Sequence, residues 1–244
     1  MTYLNLERAA VQSWTALEEQ RLPFGSLRFS DGYRKRSNSA VLINLKHTPF
    51  EELVDLTEEF YRQRSQPVMI RIPSFGTAAR FDDYLRSIGF ASIARSRVMT
   101  CALGLKHETQ LPINSITKDD WLDRYCRIYP ESALHRRIHS QLLERIPGKV
   151  LFAVIEAEDG EPACCALGIL HQHLLSIYNV VTAARIRRQQ FASRLINQIL
   201  AWGRLHRASD ALLQVEEKNL AALALFDQLG FRTSHWYWYR HRGL

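Results

Sequence analysis

Arg185, Arg187 and Arg188 crowd a short stretch between Val180-Val181-Thr182 and a helical pattern that begins near Phe191. A strand that runs straight into a helix leaves about four backbone N–H groups pointing at one spot. The helix dipole makes that spot favourable for phosphate. Guanidinium groups beside it add positive charge. The pattern predicts a phosphate-bearing ligand seated on a βα turn. The competing reading of the same residues is a solvated basic turn.

The elements that must hold this turn can be read from periodicity. Leu174 to Thr182 is a strand, and the helix after the turn carries Phe191, Leu195, Ile199 and Trp202 on one face. Leu212 to Glu216 is the next strand, and Asn219 opens a helix that stops at Gly230-Phe231. Upstream, Thr117 with Asp119 and Asp120 is an N-cap cluster for a helix carrying Trp121, Leu122 and Tyr125. His135 to Ile146 is a further helix, Val150 to Glu156 a strand, Asp159-Gly160 a hairpin turn and Pro162 to Leu170 another strand. His135 and His139 stand four apart with no third metal ligand in sight, and are read as a solvated helix face.

The first hundred residues follow a similar plan. Leu4 to about Gln20 has helical spacing, and Leu27-Arg28-Phe29 and Asn38 to Ile43 read as strands. A helix after Pro49, a strand Val68 to Ile72, a helix opened by Thr77 and a strand Ile93 to Leu103 come next. Tyr84 to Phe90 and Leu225 to Phe231 share a pattern of helix, glycine cap, aromatic and long strand. Two tandem α/β units are therefore expected, over residues 1–105 and 116–244, with Gly104 to Ser115 as linker. The expected fold is mixed α/β, a mostly antiparallel central sheet flanked by helices. The aromatic strand His235 to Arg240 is expected to pack between the units.

Two segments carry a family resemblance. Arg187-Arg188-Gln189-Gln190-Phe191-Ala192 resembles the (Arg or Gln)-x-x-Gly-x-(Gly or Ala) turn of the GCN5-related N-acetyltransferases, with Gln190 where a glycine is usual. Asn219 to Phe231 is similar to that family's Asn-x-x-Ala-x-x-Leu-Tyr-x-x-x-Gly-Phe, with Phe226 in place of the tyrosine. The resemblance is clear from about Val150 to Arg240 and faint before that, so the N-terminal unit looks like a degenerate copy. It implies acetyl-CoA as co-substrate and no metal. Val180, Val181 and Thr182 would take the pantetheine arm as an added strand. Arg187, Arg188, Gln189, Gln190, Phe191, Ala192 and Ser193 would hold the pyrophosphate, and Asn219 and Phe226 would flank the arm. A non-glycine residue at 190 is expected to take helical backbone angles and keep its amide available.

The implied reaction moves an acetyl group to a primary amine by direct attack in a ternary complex. An alkylamine with a pKa near 10.4 is neutral only about once in 10³ molecules at pH 7. A base is therefore useful, and contributes roughly 10²–10⁴-fold. Strand Leu174 to Thr182 offers Ser176, Tyr178 and Asn179 but no carboxylate. Glu216 and Glu217 end the next strand, and Glu216 is favoured as base or amine orienter. Phe226 cannot protonate a leaving thiolate, so Tyr178, Tyr237 or Tyr239 is a candidate substitute. A catalytically weak or inactive acyl-CoA-binding sensor is the alternative that Phe226 motivates. Small amines, amino acids, antibiotics, peptide N-termini and lysine side chains all stay open as acceptors.

Composition bounds the rest. The chain has 244 residues, 46% hydrophobic and 23% charged, with a formal net charge of +7. A core of ordinary size is available, and the positive balance suits a polyanionic ligand. Nucleic acid would suit the charge too, with Tyr33-Arg34-Lys35-Arg36 as its patch, but no helix-turn-helix, RNP or zinc motif accompanies it. Cys101, Cys126, Cys164 and Cys165 have no metal-site spacing. No apolar run is long enough for a membrane span and no leader pattern opens the chain, so a cytoplasmic protein without membrane contact is expected.

Overall fold

A computed structural model describes residues 2–43, 45, 48–104 and 115–243. Most of the expected linker lies outside the described residues. Two compact units result, one formed by Met1–Val98, Val215–Asn219 and Thr233–Leu244, the other by Met99–Gln214 and Leu220–Arg232.

The first unit opens with helix α1, Tyr3–Gln12, whose N-cap Thr2 accepts a hydrogen bond from the Asn5 N–H. The helix ends well before the expected Gln20. Past Ser13 the chain turns inward, the Trp14 indole donates to Ser37 Oγ at 2.9 Å, and the Leu17 N–H donates to Ser30 Oγ at 3.0 Å. Side-chain acceptors replace the helical carbonyls there, and Glu18–Leu22 continues as strand β1. Strands β2 (Gly25–Phe29), β3 (Ala40–Leu42) and β4 (Val68–Pro73) follow, with helix α2 (Phe50–Arg62) before β4 and α3 (Ala78–Ser87) after it. β5 spans Ala91–Ala102, and β10 spans Arg232–Arg242. The order in this unit is β1-β2-β3-β4-β10-β5; β1–β2, β2–β3 and β4–β10 pair antiparallel and β3–β4 parallel. Leu53, Tyr61, Ile70, Ile72, Phe81 and Leu85 form its apolar core.

Polar groups are also buried here. Glu7 of α1 receives Arg71 Nε at 2.5 Å and Nη2 at 3.0 Å, and lies 3.1 Å from His235 Nε2. The Arg71 guanidinium sits 3.4 Å from the centre of the Tyr237 ring. The aromatic strand thus contributes Tyr237 and Tyr239 to the interior of this unit, while Trp236 donates to Glu217 and Trp238 to Asp82.

The helices α4 (Lys118–Ile128) and α5 (Ala133–Glu144) of the second unit are capped by Thr117 and Ser132, whose hydroxyls accept from the Asp120 and His135 N–H groups. Strands β6 (Lys149–Glu156), β7 (Pro162–His171) and β8 (Leu174–Thr182) form an antiparallel meander. Helix α6 (Phe191–Leu205) returns the chain to β9 (Asp210–Glu216), which runs parallel to β8, and α7 (Leu220–Gln228) follows. The order is β9-β8-β7-β6. α6 packs unusually close to the sheet: a Cβ on Gly203 would stand 2.6 Å from Leu175 Cδ2. The Trp121 indole binds the carbonyls of Ala153 and Ala166, which fastens α4 to β6 and β7.

The two glycine stops are built alike. Gly89 has φ +93° and Gly230 φ +88°, and the N–H of Phe90 or Phe231 returns to the carbonyl five residues earlier. That is the glycine cap both sequence segments predict.

Candidate active site

β8 and β9 set the geometry of the second unit. Their parallel ladder runs from Leu174↔Asp210 to Ile177↔Leu213, and no later pair follows among the described residues. At the next positions β8 bulges: Leu167 of β7 faces Tyr178, but Cys165 faces Val181. Asn179 occupies the bulge with φ +52°. A left-handed residue inside a strand bends it and raises its twist. Among the described residues the β8–β9 ladder does not resume after this bulge.

The sequence-predicted pantetheine residues stand on this stretch. Val181 and Thr182 remain paired with Cys165 and Cys164, and Thr182 Oγ1 donates to Cys164 Sγ at 3.4 Å. Tyr178 is buried, and Gln214 Nε2 donates to its phenol oxygen at 3.2 Å. Burial pushes the Cys164 thiol up to about 11, with the Thr182 hydrogen bond acting the other way.

The turn follows directly. A 3-10 turn at Ala184–Ile186 leads to Arg187, then to Arg188 with φ +65° and Gln190 with φ +61°. The first helical bond of α6 is Arg194 N–H to the Gln190 carbonyl, so the N–H groups of Phe191, Ala192 and Ser193 open towards the turn. Arg187, Arg188, Gln189 and Gln190 are exposed. Neither Arg187 nor Arg188 has an ion-pair partner among the described residues. Arg185 does: it pairs with Asp159 at 3.0 Å, so it does not add to the charge of the turn as expected.

Gln190 also departs from expectation. It is not helical but left-handed, with φ +61° and ψ +8°. A side chain there costs roughly 1–2 kcal/mol relative to glycine. Glycine costs about 0.4–1 kcal/mol through the freer unfolded chain. Gln190→Gly should therefore change stability by about 1 kcal/mol or less, readable as a thermal shift of no more than a few degrees. A drop larger than that would contradict the strained backbone.

The remaining predicted residues are distributed as follows. Phe226 is buried in the second unit, its ring 5.8 Å from that of Phe231. Glu216 and Asn219 belong to the first unit, where Glu216 pairs with Lys218 at 3.0 Å and Lys35 at 3.7 Å, and its carbonyl takes the Asn219 N–H. Tyr239 is buried there too, and burial together with Tyr237 pushes its phenol far above the ordinary range. No cluster of His, Cys, Asp and Glu able to hold a metal ion occurs among the described residues. No helix among them is long and apolar enough to cross a membrane.

One group was misread from sequence. His139 is not on a solvated face but fully buried, between Glu131 and Asn179. Its signal was present: Ile138, His139, Leu142 and Leu143 form the buried stripe of α5, on which a histidine must find partners.

Comparison with known proteins decides the family. Residues 4–240 match the family described as probable histone acetyltransferase Rv0428c C-terminal. The chain belongs to that family. It is a member of the GCN5-related N-acetyltransferase superfamily and an N-acetyltransferase. It is 23% identical over 250 residues to the uncharacterized N-acetyltransferase YobR of Bacillus subtilis, with 96% of each chain covered. A tandem GNAT protein from the clavulanic acid biosynthesis pathway has the same fold at TM-score 0.70 and 12% identity, over 98% of this chain and 87% of that one. A GCN5-related N-acetyltransferase from Kribbella flavida shares it at TM-score 0.66 and 13% identity, over 98% and 93%. The mixed, mostly antiparallel sheet with flanking helices is thus the acetyltransferase fold of this family.

Proposed function

We propose that the protein transfers an acetyl group from acetyl-CoA to a primary amine by direct attack in a ternary complex. The observation that carries this reading is the end of the β8–β9 ladder at Ile177 and Leu213, followed at once by the basic turn. Strand backbone beyond the end of a ladder offers amide and carbonyl groups at the spacing a pantetheine arm can match. The turn then supplies the N–H groups of Phe191, Ala192 and Ser193, with Arg187 and Arg188, for the pyrophosphate. Acetyl-CoA supplies the activated acyl group.

The amine nitrogen bonds to the thioester carbon, and the C–S bond breaks as the tetrahedral intermediate collapses. One amine proton must leave, and the departing thiolate takes a proton. Glu216 is the proposed base and Tyr178 the proposed acid, since Phe226 has no proton to give. Asn219 and Phe226 are proposed to flank the pantetheine arm. No disulfide joins Cys101, Cys126, Cys164 and Cys165, which supports a reducing compartment such as the cytoplasm.

The test is thermal unfolding with acetyl-CoA at about 100 times its Kd, where binding should add roughly 2.7 kcal/mol. It is paired with amine-dependent release of CoA thiol by wild type and by Glu216→Gln and Tyr178→Phe. Stabilisation with thiol release that both variants lower by about 10-fold or more is the expected outcome. Stabilisation without amine-dependent release would instead favour the acyl-CoA sensor, which the apolar Phe226 motivates. Neither stabilisation nor release would overturn both readings.

A further inference from the structure

Glu131, His139 and Asn179 form a chain of contacts that the transfer step above leaves unused. Glu131 Oε2 lies 3.1 Å from His139 Nδ1, and Asn179 Nδ2 lies 2.9 Å from His139 Nε2. The Glu131 and His139 side chains are 3% and 0% exposed. The imidazole is boxed in edge-on by the rings of Tyr125 at 5.2 Å and Trp121 at 5.9 Å. Asn179 is different: it is partly exposed, and it is the bulge residue where β8 leaves β9.

The donor and acceptor inventory fixes the arrangement. An ionised carboxylate only accepts, so Nδ1 carries the imidazole hydrogen and gives it to Glu131. In that tautomer of the neutral imidazole Nε2 has a lone pair, to which the NH₂ end of the Asn179 amide donates. The other end of that amide, Oδ1, is turned away from the histidine. A solvated asparagine turns over freely, whereas this one is held in one orientation by two buried groups.

We infer that Glu131 and His139 are positioning residues that hold Asn179 Oδ1 as the hydrogen-bond acceptor for the attacking amine. This rests on the acetyl-transfer reading above. An amine that attacks a thioester must aim its lone pair at the carbonyl carbon, so its N–H bonds need fixed acceptors on the other side. The pantetheine arm is assigned to the backbone from Val180 onward, which leaves the side chain before it to the second substrate.

Asn179→Gly separates side chain from backbone, because glycine takes φ +52° without strain. It should lower kcat/KM for the amine by about 10-fold to 100-fold while the acetyl-CoA Kd stays within about 3-fold. Glu131→Gln removes the carboxylate that fixes the tautomer and should give the same selective loss, smaller in size. The assay uses spermidine, glucosamine and a lysine-bearing peptide as amines. Nitrogen-15 shifts of the wild-type imidazole should put the proton of His139 on Nδ1. A proton on Nε2, an unchanged kcat/KM in both variants, or a loss of acetyl-CoA affinity equal to the loss for amine would each overturn the inference. Wild-type protein that binds acetyl-CoA yet turns over none of the amines would overturn the transfer reading itself, and this inference with it.

Discussion

Replacing Arg187 and Arg188 together with alanine should weaken acetyl-CoA binding by about 10-fold to 100-fold at low salt. Charge-assisted hydrogen bonds to phosphate contribute about 1.5–3 kcal/mol where geometry is good. Both side chains are exposed, so screening keeps the pair below the sum of two such bonds, at about 1.4–2.7 kcal/mol together. For the same reason the loss should shrink as ionic strength rises. The thermal transition of the free protein should barely move, since neither arginine has an ion-pair partner among the described residues. Arg185→Ala is the internal control: that guanidinium is held by Asp159, and its removal should matter less. Titration calorimetry at two salt concentrations reads the affinities, and thermal unfolding of the free variants reads the stability. An unchanged Kd in the double variant would remove the phosphate from this turn.

The second large effect lies in the other unit. Glu7→Gln should cost about 3–5 kcal/mol, because it leaves the Arg71 guanidinium buried without its anion. For a chain of this size that is a fall of roughly 10 °C in the transition of the first unit. The pH dependence follows from the same contacts. Burial alone would raise the carboxyl of Glu7, but Arg71 and His235 outweigh it and hold it at about 2 against an ordinary 4.5. A carboxyl with a depressed folded value contributes stability that is present above the unfolded value and lost as pH falls through the folded one. The loss should therefore develop between pH 4.5 and 2 and amount to something on the order of 3 kcal/mol. Unfolding of the Glu7→Gln protein should be flatter across that window. Equal acid sensitivity in wild type and variant would show that another carboxylate controls it.

Much of the local structure around the candidate site could be read from the chain, for identifiable reasons. The run from Val180 to Phe231 announces itself because a strand, a basic turn, an apolar stripe at helical spacing and a glycine stop are all local patterns. The sheet class follows from the same alternation. What stayed hidden depends on contacts distant in sequence. Helix α1 looked longer because Leu17 continues its apolar spacing, yet the backbone N–H of Leu17 is taken by Ser30. The left-handed backbone at Gln190 fits the glycine usual in the turn that this segment resembles, but a sequence lists a residue, not its φ. His139 and Glu131 are eight residues apart and meet Asn179 forty positions later, a distance no periodicity spans.

The strand β10 has a consequence for the order of synthesis. It pairs with β4 from Tyr237↔Pro73 to Arg242↔Val68, inside a unit that otherwise ends at Val98 and Asn219. A ribosome adding about 5–20 residues per second would finish Val98 and then need roughly seven to thirty seconds to make β10. Throughout that interval the first unit has an open edge on β4 and an Arg71 that lacks His235 and Tyr237 around it. The second unit, made later, is nearly complete before the first can close. The N-terminal half of the nascent chain is therefore the part that chaperones must guard longest, although it is the first to leave the tunnel.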